Sequence, residues 1–189
     1  MIGNTRDMLN PQDLAEAKQV GLRRKLEDAR TDINALPELP EGANNAVQQA
    51  GMEMKMEVTE LLKELESLKR KVDAGAQFIL SQTVFDAEPV EKVAELTKGF
   101  PIPLVLGILP LRSHKHASFL NDSVPGMTVP PGVLDRLYNA EGDVGLEGVR
   151  IAQEILNKSI SIIGGAYLVP AFNRYDYVAE VISGLANVD

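Results

Sequence analysis

Residues 103–109 read PLVLGIL, and this apolar run indicates the fold class together with two similar runs. The other two runs are QFILSQTV at residues 77–84 and SISIIGGAYLV at residues 159–169. Because all three are almost continuously apolar, we expect strands that are buried on both faces. Segments with helical periodicity separate them, and this strand–helix–strand order predicts adjacent parallel strands. The predicted fold class is therefore α/β.

The first 75 residues have a different pattern, that of two helices joined by a linker. A helix is predicted from residue 11 to 33, and the proline-rich residues 36–42 break it. A second helix begins near residue 44 or 52 and runs to 74, where Gly75 ends it. Its apolar stripe also permits a dimeric coiled coil, although the stripe covers few heptads.

Five further helices are predicted between and after the strands. Their ranges are residues 88–98, 114–121, 130–139, 144–157 and 174–186. The chain then divides into an N-terminal helix with its Pro-rich linker, residues 1–43, and a βα domain, residues 44–189.

The composition of the chain disfavours several kinds of partner and excludes several kinds of functional site. The formal net charge is −8, and Lys and Arg are interleaved with Asp and Glu, which disfavours nucleic acid and anionic membranes as partners. The absence of cysteine excludes disulfides, thiolate metal sites and a cysteine nucleophile. The sequence contains no secretory signal pattern and no apolar run of about 20 residues, so we expect a cytoplasmic protein without a membrane span.

Polar residues beside Gly and Pro follow each apolar run, at the strand ends where parallel α/β folds bind ligands. The three segments are SQTVFD at residues 81–86, GILPL at 107–111 and GGAYLVPAFNR at 164–174. Gly164 and Gly165 lack the spacing of a dinucleotide fingerprint, and close packing is the expected role. The sequence therefore predicts a ligand-binding rim without naming its ligand.

These segments carry a resemblance to a known family. LKRKVDAGA at residues 68–76, followed by SQTVFD, is similar to the sixth βα unit of methylenetetrahydrofolate reductases. IPLVLGILP at residues 102–110 resembles their seventh strand, and FNR at 172–174 resembles the end of their eighth. The resemblance implies a parallel (βα) barrel of TIM type, present only as its last three βα units and preceded by an N-terminal helical segment.

The resemblance also implies an activity. Family members reduce 5,10-methylenetetrahydrofolate to 5-methyltetrahydrofolate with NAD(P)H through FAD, in one-carbon and methionine metabolism. Carried over to this sequence, Lys71 and Arg70 match the basic pair that contacts the flavin, and Leu80 is assigned to the same cofactor site. A Lys and an Arg suit a pyrophosphate chemically. The alternative for the basic pair is a solvated helix face.

Three residues are assigned to the folate substrate in the same way. Gln82 matches the glutamine that meets the pterin, Arg174 the arginine near the aminobenzoyl-glutamate arm, and His114 a position where some relatives stack an aromatic ring. The alternatives are a buried structural amide for Gln82 and a pairing of Arg174 with Asp176. A metal site at the two histidines lacks further ligands in the sequence.

The sequence also departs from the family pattern. The acidic proton donor of the first strand and the aspartate beside the flavin on the fourth have no recognisable counterparts, so no catalytic residue is assigned. Three parallel strands leave open edges, which proteins normally cover. We therefore expect a homo-oligomer or a partner chain that completes the barrel. The alternatives are a non-catalytic folate- or flavin-binding or assembly subunit, and a purely structural α/β domain.

Overall fold

The computed structural model describes residues 24–35 and 45–185, which form two compact units. The helical unit comprises the described residues 24–35, 45–77 and 97–102, and the α/β unit comprises residues 78–96 and 103–185. The predicted division at residue 43 falls outside the described residues, so it stays a prediction.

Two helices build the helical unit. Residues 24–34 are helical (α1), as predicted, whereas residues 11–23 and the predicted linker lie outside the described residues. The second helix, α2, spans Asn45–Asp73 and therefore follows the longer of its two predicted ranges. Its apolar stripe packs into a small core with α1, and that core is formed by Leu26, Val72 and Phe100 together with the partly buried Leu62, Leu65, Leu68 and Ile102.

Gly75 ends α2, as predicted. Its φ of +105° lies in the left-handed region, which a glycine adopts without a steric penalty. The Gly75 N–H donates to the Val72 carbonyl oxygen and the Ala76 N–H to that of Lys71. This pair of hydrogen bonds is the Schellman motif, which satisfies carbonyl groups at a helix end.

The α/β unit contains a three-stranded parallel sheet in the order β1-β2-β3. In chain order its elements are β1 (Ile79–Val84), α3 (Glu88–Thr97), β2 (Leu104–Ile108), α4 (His114–Ser123), α5 (Pro131–Tyr138), α6 (Val144–Ser159), β3 (Gly165–Leu168), a 3-10 turn (Ala171–Asn173) and α7 (Tyr175–Ser183). The prediction of three adjacent parallel strands is confirmed. No helix in the described ranges is both long enough and apolar enough to cross a membrane.

The sheet is buried on one face only, so the prediction of burial on both faces is wrong. Leu104, Leu106 and Ile108 of β2 lie in the main core, together with buried residues of α3, α4, α6 and α7. Leu80 and Val105 are paired neighbours on the opposite face, and the Leu80 side chain is 57% exposed. The helices of this unit therefore leave part of an apolar sheet face in contact with solvent.

The third strand is shorter than predicted. Helix α6 continues to Ser159, and the Ile162 N–H then donates to the Ser159 carbonyl oxygen in a turn. Ile160 and Ile162 belong to this turn and are 38% and 39% exposed. An apolar run does not by itself distinguish a helix end from a strand start, which is why the predicted boundary at residue 159 is wrong.

Candidate functional site

The three strands are parallel, so the segments that follow them leave the sheet at the same edge. These segments begin after Val84, Ile108 and Leu168, and they contain the strand-end motifs found in the sequence. This edge is the candidate site of the α/β unit, because ligands of parallel α/β proteins bind at the carboxyl ends of strands.

An irregularity in β1 shapes the first strand end. The pairing register with β2 shifts between Leu80 and Thr83, so Ser81 and Gln82 depart from the regular ladder. The Gly107 N–H donates to the Ser81 side-chain oxygen at 2.9 Å instead. Bulges of this kind commonly redirect a side chain beside a functional site.

Tyr167 of β3 extends across β2 at the same level. Its phenolic oxygen donates to the Ser81 carbonyl oxygen at 2.8 Å. A Cβ atom at Gly107 would lie only 2.5 Å from the Tyr167 phenolic oxygen, so only glycine leaves room for the Tyr167 ring. One side chain thereby ties the two outer strands of the sheet together.

Gln82 projects from the bulge towards the α4–α5 loop. Its Nε2 atom makes a long hydrogen bond of 3.4 Å to the Pro125 carbonyl oxygen. The side chain is exposed, so the alternative of a buried structural amide does not hold. Its amide oxygen has no hydrogen-bond donor among the described residues and can meet a ligand edge. The folate role stays a prediction.

The second strand end is anchored to α6 before it reaches solvent. Pro110 and Leu111 are buried, and a Cβ atom at Gly148 of α6 would lie 1.8 Å from the Leu111 carbonyl oxygen. The next residue, Arg112, is exposed. Ser113 then caps α4, because its side-chain oxygen accepts from the His116 N–H at 3.2 Å.

The two histidines of α4 contact different aromatic rings. The His114 ring meets Tyr138 edge-on, with centroids 5.4 Å apart, and the His116 ring meets Phe172 edge-on at 5.2 Å. Burial lowers the pKa of His116, and the positive charge of Arg112 lowers it further. In the described ranges, no three His, Asp or Glu residues lie close enough together to hold a metal. A stacking role for His114 stays a prediction.

Phe172 and Asn173 at the third strand end have unusual backbone conformations. Their φ angles are 53° and 61°, in the left-handed region, which asparagine tolerates but which is strained for phenylalanine. Phe172 is nevertheless 64% exposed, and the Arg112 guanidinium lies 4.3 Å from its ring centroid. A strained phenylalanine that presents its ring to solvent indicates a binding site more strongly than a packing role.

Arg174 is paired with its neighbour Asp176, which is the alternative to a folate contact given by the sequence. Its Nε and Nη2 atoms donate to the two Asp176 carboxylate oxygens at 2.8 and 2.6 Å, and its guanidinium stacks 3.6 Å from the Tyr177 ring. These hydrogen bonds lower the pKa of Asp176. Tyr177 in turn donates to Asp143 at 3.0 Å. A folate carboxylate would have to compete with Asp176 for this cation, and the role of Arg174 stays a prediction.

The predicted cofactor residues lie in both units. Arg70 and Lys71 are exposed on the last turn of α2, and neither has an ion-pair partner among the described residues. Leu80 belongs to the α/β unit and is exposed on the open sheet face. The predicted convergence of Lys71, Gln82 and Arg174 on one rim joins residues of the two units, so it too stays a prediction.

The sequence interpretation missed the cluster of Arg112, His116 and Phe172. Phe172 belongs to the FNR motif without a role of its own there, and Arg112 lies outside every motif. A signal was present, because Arg112 is the first charged residue after the buried end of β2, where functional side chains are expected.

Comparison with known families gives a match that covers most of the chain. A sequence model described as methylenetetrahydrofolate reductase matches residues 39–183. The matched segment includes all three strands and the segments at their carboxyl ends, and it covers most of the 189-residue chain. The family fold is a TIM barrel, and a three-stranded parallel sheet with its helices is consistent with part of one. The chain therefore belongs to the methylenetetrahydrofolate reductase family.

Proposed function

We propose that this protein is a methylenetetrahydrofolate reductase-like flavoprotein. It reduces 5,10-methylenetetrahydrofolate to 5-methyltetrahydrofolate with NAD(P)H through FAD, in one-carbon and methionine metabolism. The observation that carries the proposal is the family match over residues 39–183. The common edge of the three parallel strands supports it, because that edge presents exposed polar and aromatic side chains.

The folate contact proposed for the α/β unit is Gln82. An amide offers one acceptor and two donor hydrogens, which matches the mixed edge of a pterin ring. Gln82 is exposed, and the only hydrogen bond of its side chain among the described residues is the long one to Pro125. A ligand can therefore displace this contact at little cost in free energy.

The flavin contacts proposed are Arg70, Lys71 and Leu80. Each residue is supported separately, because two exposed cations without carboxylate partners in the described ranges suit a pyrophosphate and an exposed leucine suits an apolar ring. When bound, FAD supplies the electron carrier between NAD(P)H and folate. The residues of this chain bind and orient the two ligands in this proposal.

A second candidate function is a non-catalytic folate- or flavin-binding or assembly subunit. The observation that favours it is that the carboxylates at the strand ends already have hydrogen-bond or ion-pair partners. Asp86 accepts a hydrogen bond from the Glu88 N–H at 3.3 Å, and Asp176 is paired with Arg174. Neither is placed as a free general acid, which reduction of the substrate requires.

Titration of the purified protein with FAD and with 5-methyltetrahydrofolate tests the proposal. Lys71→Ala should weaken the binding of FAD by about 1.5 to 3 kcal/mol, because it removes a charge-assisted contact. Lys55→Ala is the matched control, since Lys55 is also exposed on α2. Gln82→Ala should lower the affinity for the folate and leave the affinity for FAD unchanged.

The outcomes separate the candidates. Binding of both ligands with NAD(P)H oxidation supports the reductase. Binding without oxidation supports the non-catalytic subunit. If the wild type binds neither ligand, the reductase function is wrong, and an assembly subunit or a structural α/β domain remains.

A further inference from the structure

His116 contacts the segments that follow two different strands of the α/β unit. It lies in the first turn of α4, its ring meets Phe172 of the 3-10 turn edge-on at 5.2 Å, and its Nδ1 atom accepts the Arg112 backbone N–H at 3.4 Å. The Arg112 guanidinium in turn lies 4.3 Å from the Phe172 ring centroid. One imidazole therefore joins the segment after β2 to the segment after β3.

The contact with Arg112 requires a neutral imidazole. A neutral ring has one nitrogen that accepts a hydrogen bond, whereas both nitrogens of an imidazolium are donors. Protonation of Nδ1 would place its N–H against the backbone N–H of Arg112, so that two donors face each other. Protonation of His116 therefore turns this attraction into a repulsion.

The surroundings of His116 also favour its neutral form. Burial lowers the pKa of His116, and the charge of Arg112 lowers it further. The 3-10 turn that meets the ring contains no titratable residue, and Arg174 just after it is paired with Asp176. On α4 itself, Lys115 is exposed, and the helix dipole disfavours a cation in the first turn. Among the described residues, no carboxylate is paired with the imidazole to offset these effects.

The backbone of Phe172 is in a conformation that needs support. Its φ of 53° is strained for phenylalanine, and its ring is 64% exposed. The interactions of this ring with Arg112 and His116 act against the strain. Loss of the His116 contact would leave the strained conformation with less to hold it.

We propose that His116 is a pH-sensitive switch, which holds the segments after β2 and β3 together while its imidazole is neutral and releases them when it is protonated. The switch is a property of the fold, so it is correct or wrong independently of the proposed function. The closed arrangement favours neutral His116, whose folded pKa lies below the ordinary value of 6.5. Its stabilising effect is therefore present above pH 6.5 and is lost as pH falls through the folded value.

NMR of the isotope-labelled protein, titrated from about pH 8 to about pH 5, tests the proposal. The Arg112 amide should move with the His116 ring resonances, with one midpoint below 6.5, and should lose protection against hydrogen exchange. The coupling between the amide and α protons of Phe172 reports its φ and should change at the same midpoint. An imidazole that does not titrate in this range, or a Phe172 coupling that stays constant while it does, would overturn the proposal.

Three variants assign the transition to one group. His116→Asn places an amide oxygen near the position of Nδ1, and this acceptor does not titrate, so the spectrum of neutral pH should persist in acid. His116→Phe keeps a ring without an acceptor, so Arg112 and Phe172 should give the acid spectrum at every pH. His114→Asn is the matched control, because His114 lies on the same helix but meets Tyr138, and the transition should remain. A transition that survives in His116→Asn, or disappears in His114→Asn, contradicts the assignment to His116.

Discussion

Tyr167 of β3 donates a hydrogen bond of 2.8 Å to the carbonyl oxygen of Ser81 in β1, although the two residues are separated by the whole of β2. Gly107 makes this possible, since any side chain there would overlap the phenol. The Ser81 side chain completes the arrangement by accepting the Gly107 N–H. The bulge that presents Gln82 is therefore stabilised from the far side of the sheet.

Tyr167→Phe should lower the free energy of unfolding by about 1 kcal/mol, because it removes one hydrogen bond and leaves a partly buried carbonyl group unsatisfied. Urea unfolding measures the change. Tyr175→Phe is the control, since Tyr175 is 65% exposed. Equal stability of the two variants would show that the Tyr167 bond contributes nothing to the sheet.

Gly148→Ala should lower the free energy of unfolding by about 3 kcal/mol or more, because the new methyl group would collide with the backbone of Leu111. Gly132→Ala is the matched control, since nothing lies within 4 Å of its added Cβ. In α5 that change should be neutral or stabilising by up to about 1 kcal/mol. Thermal unfolding of both variants provides the comparison, and a Gly148 variant as stable as the control would contradict the packing described for α6.

Acid should weaken the contact between α5 and α6. Hydrogen bonding to Arg136 lowers the pKa of Glu154; burial acts to raise the pKa of Glu147, but hydrogen bonds from Arg136 and Arg150 outweigh it. Both pKa values thus lie below the ordinary value of 4.5, so their contribution to stability is present above that pH and is lost as pH falls through the folded values.

Urea unfolding at several pH values between 7 and about 3 measures this loss, with Arg136→Gln as the test variant. The variant should lose less stability on acidification, with a difference of no more than about 1 kcal/mol because Arg136 is partly exposed and solvent screens its charge. An identical pH dependence in wild type and variant would show that the network does not contribute.

The open face and edges of the sheet predict self-association or a partner chain. Leu80 is exposed on that face, and β1 and β3 are edge strands of the described sheet. Light scattering of the purified protein should therefore give the mass of a dimer or larger. Leu80→Lys should reduce the association by placing a charge on the face, whereas a soluble monomer at high concentration would contradict the prediction.

Much of the fold follows from local patterns in the sequence. The apolar runs and the periodicity between them predicted the three parallel strands, and Gly75 predicted the end of α2 through its tolerance of positive φ. The predicted residue ranges are wrong where an apolar run fits both a helix end and a strand start, as at Ile160 and Ile162, which lie in a turn. The one-sided burial of β1 was missed because a continuous apolar run cannot show which face the helices cover.

The candidate site was less predictable for a different reason. The sequence identified Arg174 by position and offered pairing with Asp176 as the alternative role, but the choice between the two and the contact with Tyr177 depend on side-chain geometry. The cluster at Arg112 joins the ends of two strands that are about 60 residues apart in sequence, counted from Arg112 to Phe172. Such a contact has no local signature, so only the folded chain reveals it.

In the proposed function, this protein passes electrons from NAD(P)H through FAD to methylenetetrahydrofolate. The most direct test is a single-turnover experiment, in which the FAD-loaded protein is reduced with NAD(P)H without oxygen and then mixed with 5,10-methylenetetrahydrofolate. The proposed reaction predicts that flavin absorbance near its oxidised maximum returns and that 5-methyltetrahydrofolate forms in equal amount. A flavin that stays reduced after mixing, in a protein that binds both ligands, would contradict the claim.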